Sequence, residues 1–281
     1  FTVRNFVNLF RNNAVVGIIA FGMSFVIISG NIDLSVGAQL VATSAVLLTV
    51  INKTDNIPLG IILALLTSCC ISAVTGIIVT KGRVPSFIVT LGMQYILRSI
   101  CLFSMSGGGF YGESKAFAQI SNYSLGGWLP LPIIYFFVMF LVYLYISKGT
   151  ILGRHIYAVG SNEKATRLSG INTDWIKIVS FILLGLAVGV AAVIEGSRMN
   201  SINATSSGTS YELNAIAMAV VGGIAMEGGK GTLVGALFGI LILGIINNML
   251  TLIGVNVYLV NAIKGSIIIL AVLLQRKEKE R

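Results

Sequence analysis

Between Lys148 and Asp174 the chain reads KGTILGRHIYAVGSNEKATRLSGINTD, flanked by PLPIIYFFVMFLVYLYIS (130–147) and WIKIVSFILLGLAVGVAAVIEG (175–196). Each flank approaches the ~20 apolar residues with which an α-helix crosses the hydrocarbon of a bilayer. The insert carries Lys148, Arg154, Glu163, Lys164, Arg167 and Asp174 and belongs in water. Outward from it the same kind of apolar segment recurs at 14–29, 34–51, 58–80, 85–104, 212–226, 232–252 and 258–274, nine in all with the two flanks. At 56% hydrophobic and 10% charged residues, the chain has too little polar surface to cover a water-soluble fold. The reading is an all-α polytopic membrane protein, one transmembrane domain over 1–281, with 148–174 as a loop inside it.

Segments 14–29 and 212–226 are short for full spans, and both abut Gly/Asn/Ser runs, Ser29-Gly30-Asn31 and 205–210. Broken or half-crossing helices are tolerated only where protein or a wet cavity surrounds their backbone, so both are expected beside a pathway. If the last segment runs inward, one face collects Lys81, Arg83, Lys148, Arg154, Lys164, Arg167, Lys177, Lys230, Arg276, Lys277, Lys279 and Arg281. The other holds Arg4, Arg11, Lys53, Lys115 and Arg198; twelve against five puts the insert and the carboxyl end in the cytoplasm. Nine spans then leave Phe1 outside, and with Phe instead of Met in first place an upstream span is expected.

Several chemistries are excluded. Cys69, Cys70 and Cys101 have neither the number nor the spacing of a disulfide framework or metal site and read as packing residues. The net charge of +9 sits at segment ends without interleaved aromatics, so it is a topology signal and not a nucleic-acid face. Gly107-x-Gly109-x-x-Gly112 has no preceding strand to make it a dinucleotide fingerprint. Gly228-Gly229-Lys230-Gly231-Thr232 lacks the residues of a phosphate loop, Gly231 following the lysine and Ile224 standing where the first glycine belongs. The single histidine, His155, has no cysteine or carboxylate at ligand spacing. The reading is therefore no enzyme, no cofactor and no metal.

The remaining motifs are mechanical or polar. Within the insert, Ser161 or Asn162 is placed to cap a short helix, Glu163 lies in its first turn, Arg167 near its last, and Gly170 at its end. A polar helix of about eight residues is marginal alone in water and needs a surface to dock on. Gly231, Gly235 and Gly239, like Gly185 and Gly189, recur every four residues and let helix backbones approach closely. Asp33, Arg98, Glu195 and Lys264 fall at membrane depth, where a charge must be paired or wetted. Glu195 with Arg198 is a candidate local pair, Asp33 with Arg98 a longer-range one. Asn31, Asn214, Asn247, Asn248 and Asn261 are amides suited either to a sugar path or to joining helices.

Four blocks carry a family resemblance. Ser29-Gly30-Asn31-Ile32-Asp33-Leu34-Ser35-Val36-Gly37 resembles the Gly-Gly-Ile-Asp-Leu-Ser-Val-Gly signature of permease subunits of ribose, xylose and galactose ABC importers. So do 85–92 (PSFIVTLG), 153–162 (GRHIYAVGSN) continuing to 168–171 (LSGI), and 211–217 (YELNAIA) with Val221-Gly222-Gly223. The blocks stand in family order over most of the chain. The resemblance implies a type II ABC importer-like helical bundle, usually of ten spans, working beside a second permease copy or homologue. It further implies ATP-binding subunits docked on the cytosolic insert through Arg154, Ser161, Asn162, Glu163, Arg167 and Gly170, and an extracytoplasmic sugar-binding protein delivering a small polar solute. Asn31, Asp33, Arg98, Asn214 and Asn247 are the candidate path residues. Asn31 replaces the signature's second glycine and Ser99 follows Arg98 where glycine is common, which leaves open a nucleoside or autoinducer-type sugar derivative as cargo. A stand-alone secondary transporter would need coupling-ion carboxylates and usually internal repeats, and the sequence shows no such repeat. A structural scaffold would leave the blocks unexplained.

Overall fold

The computed structural model describes residues 3–256, 259–260, 262–267 and 269. Seven helices among these are long and apolar enough to cross a membrane: α1 (Val3–Ile28), α2 (Val36–Thr54), α3 (Ile57–Lys81), α4 (Ser86–Ser104), α6 (Leu131–Gly149), α9 (Thr173–Met199) and α11 (Leu233–Leu252). Between them lie α5 (Lys115–Asn122), α7 (Ile151–Ser161), α8 (Glu163–Leu168) and the half-length α10 (Tyr211–Val221). Short strands β1 (Gly109–Tyr111) and β4 (Ser201–Asn203) pair antiparallel, as do β2 (Ser124–Leu125) and β3 (Leu129–Pro130). Asn261 and the basic cluster Arg276, Lys277, Lys279 and Arg281 lie outside the described residues, and the helical turns at 259–260 and 262–267 fall within the segment expected at 258–274.

Burial ranks the helices. In α1, 78% of the apolar window is inside the protein and in α9 72%, against 28% for α3 and 17% for α4. Helices α1 and α9 therefore form the axis, and α3 and α4 show apolar faces outward, as helices bathed in lipid do. The axis is sealed by small residues: Gly22 rests on Leu184 and Ala187, Gly185 on Ser72 and Ser68, and Gly189 on Leu65. A polar seam runs through the same contact, with Gln39 Nε2 donating to Ser68 O at 2.8 Å and Ser72 Oγ at 2.9 Å, and Ser68 Oγ to Gly185 O at 2.7 Å. The four-residue glycine repeats thus do what their spacing implies, and Gly235 and Gly239 lie against Gly222 and Met218 of the α10 end.

Segment 14–29, expected to be short, belongs to a 26-residue helix. Its polar beginning hid it in the sequence, and those side chains are taken up by neighbours. Arg198 donates to Asn12 Oδ1 at 2.9 Å, Asn248 to Asn5 Oδ1 at 3.0 Å, and Asn13 to Leu9 O at 2.8 Å. The first two join α1 to α9 and α11, as polar side chains do between transmembrane helices, and the third lies within α1. The stretch 105–129, which joins two spans, contains α5, capped by Ser114 Oγ accepting from Phe117 N–H. Helix α5 closes the far end of α9: Asn122 Nδ2 reaches Arg198 O at 3.2 Å and Ser121 Oγ reaches Ile194 O at 3.0 Å, satisfying late carbonyls of that helix.

Candidate functional site

Two features define the site, a helical spur on one face of the bundle and a polar break beneath it. The spur begins at Thr150, whose Oγ1 accepts from Gly153 N–H at 3.1 Å. Helix α7 then lies on the bundle: Ile156 and Val159 are buried, Tyr157 Oη donates to Gly231 O at 3.0 Å, and Gly160 touches Ile28 O. The run 228–231 is thereby explained as packing, since Gly229 N–H donates to Ile28 O at 2.8 Å. Asn162, and not Ser161, caps α8, its Oδ1 accepting from Ala165 N–H at 3.0 Å. At the other end Gly170 has φ +82° and donates to Arg167 O, while Ile171 N–H reaches back to Thr166 O, a Schellman closure.

Ion pairs bind α8 to the spans. Lys177 meets Glu163 Oε2 at 2.7 Å, Arg167 meets Glu163 Oε1 at 3.4 Å and Asp174 Oδ1 at 2.9 Å, and Lys81 meets Asp174 Oδ2 at 2.9 Å. Arg167 also donates twice to Thr173 Oγ1, at 2.8 and 3.1 Å. These pairs tie α8 to the start of α9 and the end of α3, two helices packed against each other. Arg154 stands apart from this chain, exposed on α7, and Leu168 projects from the tip of α8 at 90% exposure.

The break separates α1 from α2. Gly30 (φ +83°) donates to Ile27 O and Asn31 N–H to Val26 O, ending α1, and the Asn31 side chain turns back onto Ser29. Asp33, wholly buried, accepts from Ser35 N–H at 2.7 Å and Ser35 Oγ at 2.6 Å through Oδ1, so it fastens the start of α2, and its Oδ2 has no partner among the described residues. Arg98 does not pair with Asp33. Its Nη1 donates to Ala204 O at 2.7 Å and Ser207 O at 3.0 Å, holding the loop that leads into α10. Gly208 of that loop packs directly on Gly37, and the carboxylate of Glu212 lies 2.8 Å from where a methyl on Gly37 would stand. Through these contacts Arg98, Asp33 and Glu212 all border the place where α2 meets the start of α10.

Glu212 was missed as a site residue. At 8% exposure it is a third acid at membrane depth beside Asp33 and Glu195, and the signal in the sequence was a carboxylate at the start of a short apolar segment. Asn214 is half-buried on the same α10. Asn247 lies near the other end of the bundle, on α11 next to Asn248, whose partner is at the start of α1; the structure does not bring it to the break. A cavity of about 510 Å³ joins break and spur, lined among others by Gly30, Asn31, Ser86, Arg83, Glu163 and Arg167.

A bundle with seven helices long and apolar enough to cross a membrane, a half-length helix and a docked spur on one face is that of a multi-pass membrane protein. The family model described as branched-chain amino acid transport system / permease component matches residues 5–272. The chain belongs to this family, as a membrane subunit of the sugar ABC importer type. It is 42% identical to the ribose import permease protein RbsC of Escherichia coli (strain K12), over 99% of this chain and 88% of that protein. Ribose import permease protein RbsC of Bacillus subtilis (strain 168) is 39% identical over 98% and 85%, and L-arabinose ABC transporter permease protein AraH of Azospirillum brasilense 32% over 100% and 82%. No solved structure matches the chain.

Proposed function

We propose that this permease carries a ribose-like monosaccharide across a bacterial cell membrane into the cytoplasm, with the spur face and carboxyl end cytoplasmic. The observation that carries the cargo assignment is the full-length similarity to permeases named for ribose import. Energy comes from separate ATP-binding subunits seated on α8. A second permease copy or homologue completes the pathway, and an extracytoplasmic sugar-binding protein delivers the solute to the opposite face. The described basic residues support this orientation: Lys81, Lys177 and Lys230 gather at the spur face and Arg11 and Arg198 at the other. ATP-driven movement of α8 pulls the α3–α9 pair through the ion-pair chain and opens or closes the break beneath it.

The test is uptake into proteoliposomes containing permease, ATP-binding subunits and binding protein, with a panel of pentoses, hexoses and nucleosides. Ribose-stimulated ATP hydrolysis and uptake are the expected result; stimulation by nucleosides alone overturns the cargo assignment. The docking surface has its own test. Leu168 is an apolar knob with almost no contact in the permease, so Leu168→Asp places a charge where the partner must be desolvated. Co-purification of the ATP-binding subunit is expected to fall about tenfold or more, a loss of at least ~1.4 kcal/mol, and full retention removes α8 as the seat.

A further inference from the structure

We propose that the permease itself holds a monosaccharide site, in the cavity between the far-face ends of α1 and α9 and the start of α10. The inference rests on the sugar cargo proposed above and adds to it a place of residence. The cavity measures about 330 Å³ and is lined by Asn12, Glu195, Arg198, Asn203, Ser207 and Tyr211 among others. That volume falls within the roughly 300–1,000 Å³ of small-ligand sites. With α9 27 residues long, at ~1.5 Å per residue the cavity lies about 40 Å from the spur, on the face where delivered solute would arrive.

The lining matches a polyhydroxylated ring. Each sugar hydroxyl both donates and accepts, so its site must offer acceptors and donors across a gap, with an apolar surface for the ring's C–H groups. Glu195 supplies the acceptor: it is 8% exposed, and its Oε2 has no partner among the described residues. Arg198 supplies donors. Three residues along the same helix, it makes no ion pair with Glu195, spending two N–H groups on Asn12 Oδ1 (2.9 Å) and Arg11 O (3.4 Å) instead. Opposite charges held apart at the edge of a cavity leave room for a hydroxyl to accept from the guanidinium and donate to the carboxylate. Tyr211, half-buried beside Glu195, adds a ring face and a further hydroxyl. Asn203 uses its Oδ1 on Thr205 and Ser206, and its amide N–H groups make no bond among the described residues.

The site also has a connection to the break. Ser207, in the cavity wall, gives its carbonyl to Arg98 at 3.0 Å, and the next residue, Gly208, seats on Gly37 of α2. Occupancy that orders this wall bears on the contact at which α2 and α10 meet.

The complex of permease and ATP-binding subunits, in lipid nanodiscs without binding protein, is titrated with radiolabelled ribose and a panel of other monosaccharides. Saturable binding is expected, with the dissociation constant raised at least tenfold by Glu195→Gln and by Tyr211→Phe; Lys53→Ala, on the same face but away from the cavity, leaves it unchanged. Glu195→Gln keeps the shape of the buried side chain and Tyr211→Phe keeps the ring, and elution profile and thermal midpoint verify that each is folded. Absence of saturable binding by a wild-type complex that imports the sugar once binding protein is added overturns the site alone. Wild-type affinity in both folded variants does the same. Failure of that complete system to import any monosaccharide overturns the cargo assignment, and this site with it.

Discussion

Glu163→Lys is expected to lower solute uptake per ATP hydrolysed by about tenfold, within the 5–150-fold range of a coupling energy of 1–3 kcal/mol. Glu163 is the acid of α8 that holds both Lys177 of α9 and Arg167 of its own helix. The introduced ammonium would face two cations, and α8 would swing away from α9 until only Arg167 with Asp174 and Thr173 restrained it. The pairs are partly exposed and contribute only about 0–1 kcal/mol each to folding, so membrane insertion and the thermal midpoint should hardly change. Their value is directional: they fix where the docked helix points, and a lever with a loose joint turns without moving its load. The measurement is uptake against phosphate release in the same proteoliposomes. Gly170→Val should give the same phenotype, because a β-branched residue at φ +82° unwinds the Schellman closure that aims Thr173 and Asp174 back at Arg167. A normal uptake-to-hydrolysis ratio in both variants would take the spur out of the mechanism.

How far the sequence could be read depended on whether a feature answers to its own neighbours or to distant ones. The long spans, the Asn162 cap and the Gly170 stop are local signals, and they stand in the structure where the spacing put them. Helix α7 was invisible because Gly153 and Gly160 look like breakers. In the fold they are the points where α7 touches Ser147 O and Ile28 O too closely for any side chain. The beginning of α1 was lost to its asparagines, whose partners lie as many as 243 positions away. Asp33 and Arg98 looked like complementary charges. Each instead bonds elsewhere, Asp33 through Oδ1 to the N–H and hydroxyl of Ser35 at the α2 start and Arg98 to a loop more than a hundred residues along, and Glu212, the second residue of α10, is the acid that reaches Gly37.

Gly37→Val is expected to abolish uptake and to destabilise the folded permease. The side chain would be driven into the carbonyl of Gly208 and the carboxylate of Glu212, and neither can retreat freely. Gly208 holds φ +67°, and its loop is pinned by Arg98 at Ala204 O and Ser207 O. Overpacking of a tight contact costs about 1–3 kcal/mol. If the loop yields, Arg98 is pulled off two carbonyls, and each buried group left unmet adds about 1–3 kcal/mol. If α2 yields, the Asp33–Ser35 turn opens at the head of the helix, and the break that separates α1 from α2 loses its geometry. Either route parts α2 from α10 where Gly37 and Gly208 touch. The comparison is Gly92→Ala on α4, where an added methyl meets nothing within 4 Å and the helix gains from alanine. A thermal midpoint and uptake for Gly37→Val equal to those of Gly92→Ala would show that the close approach of α2 and α10 is dispensable, and with it the assignment of this break to the pathway.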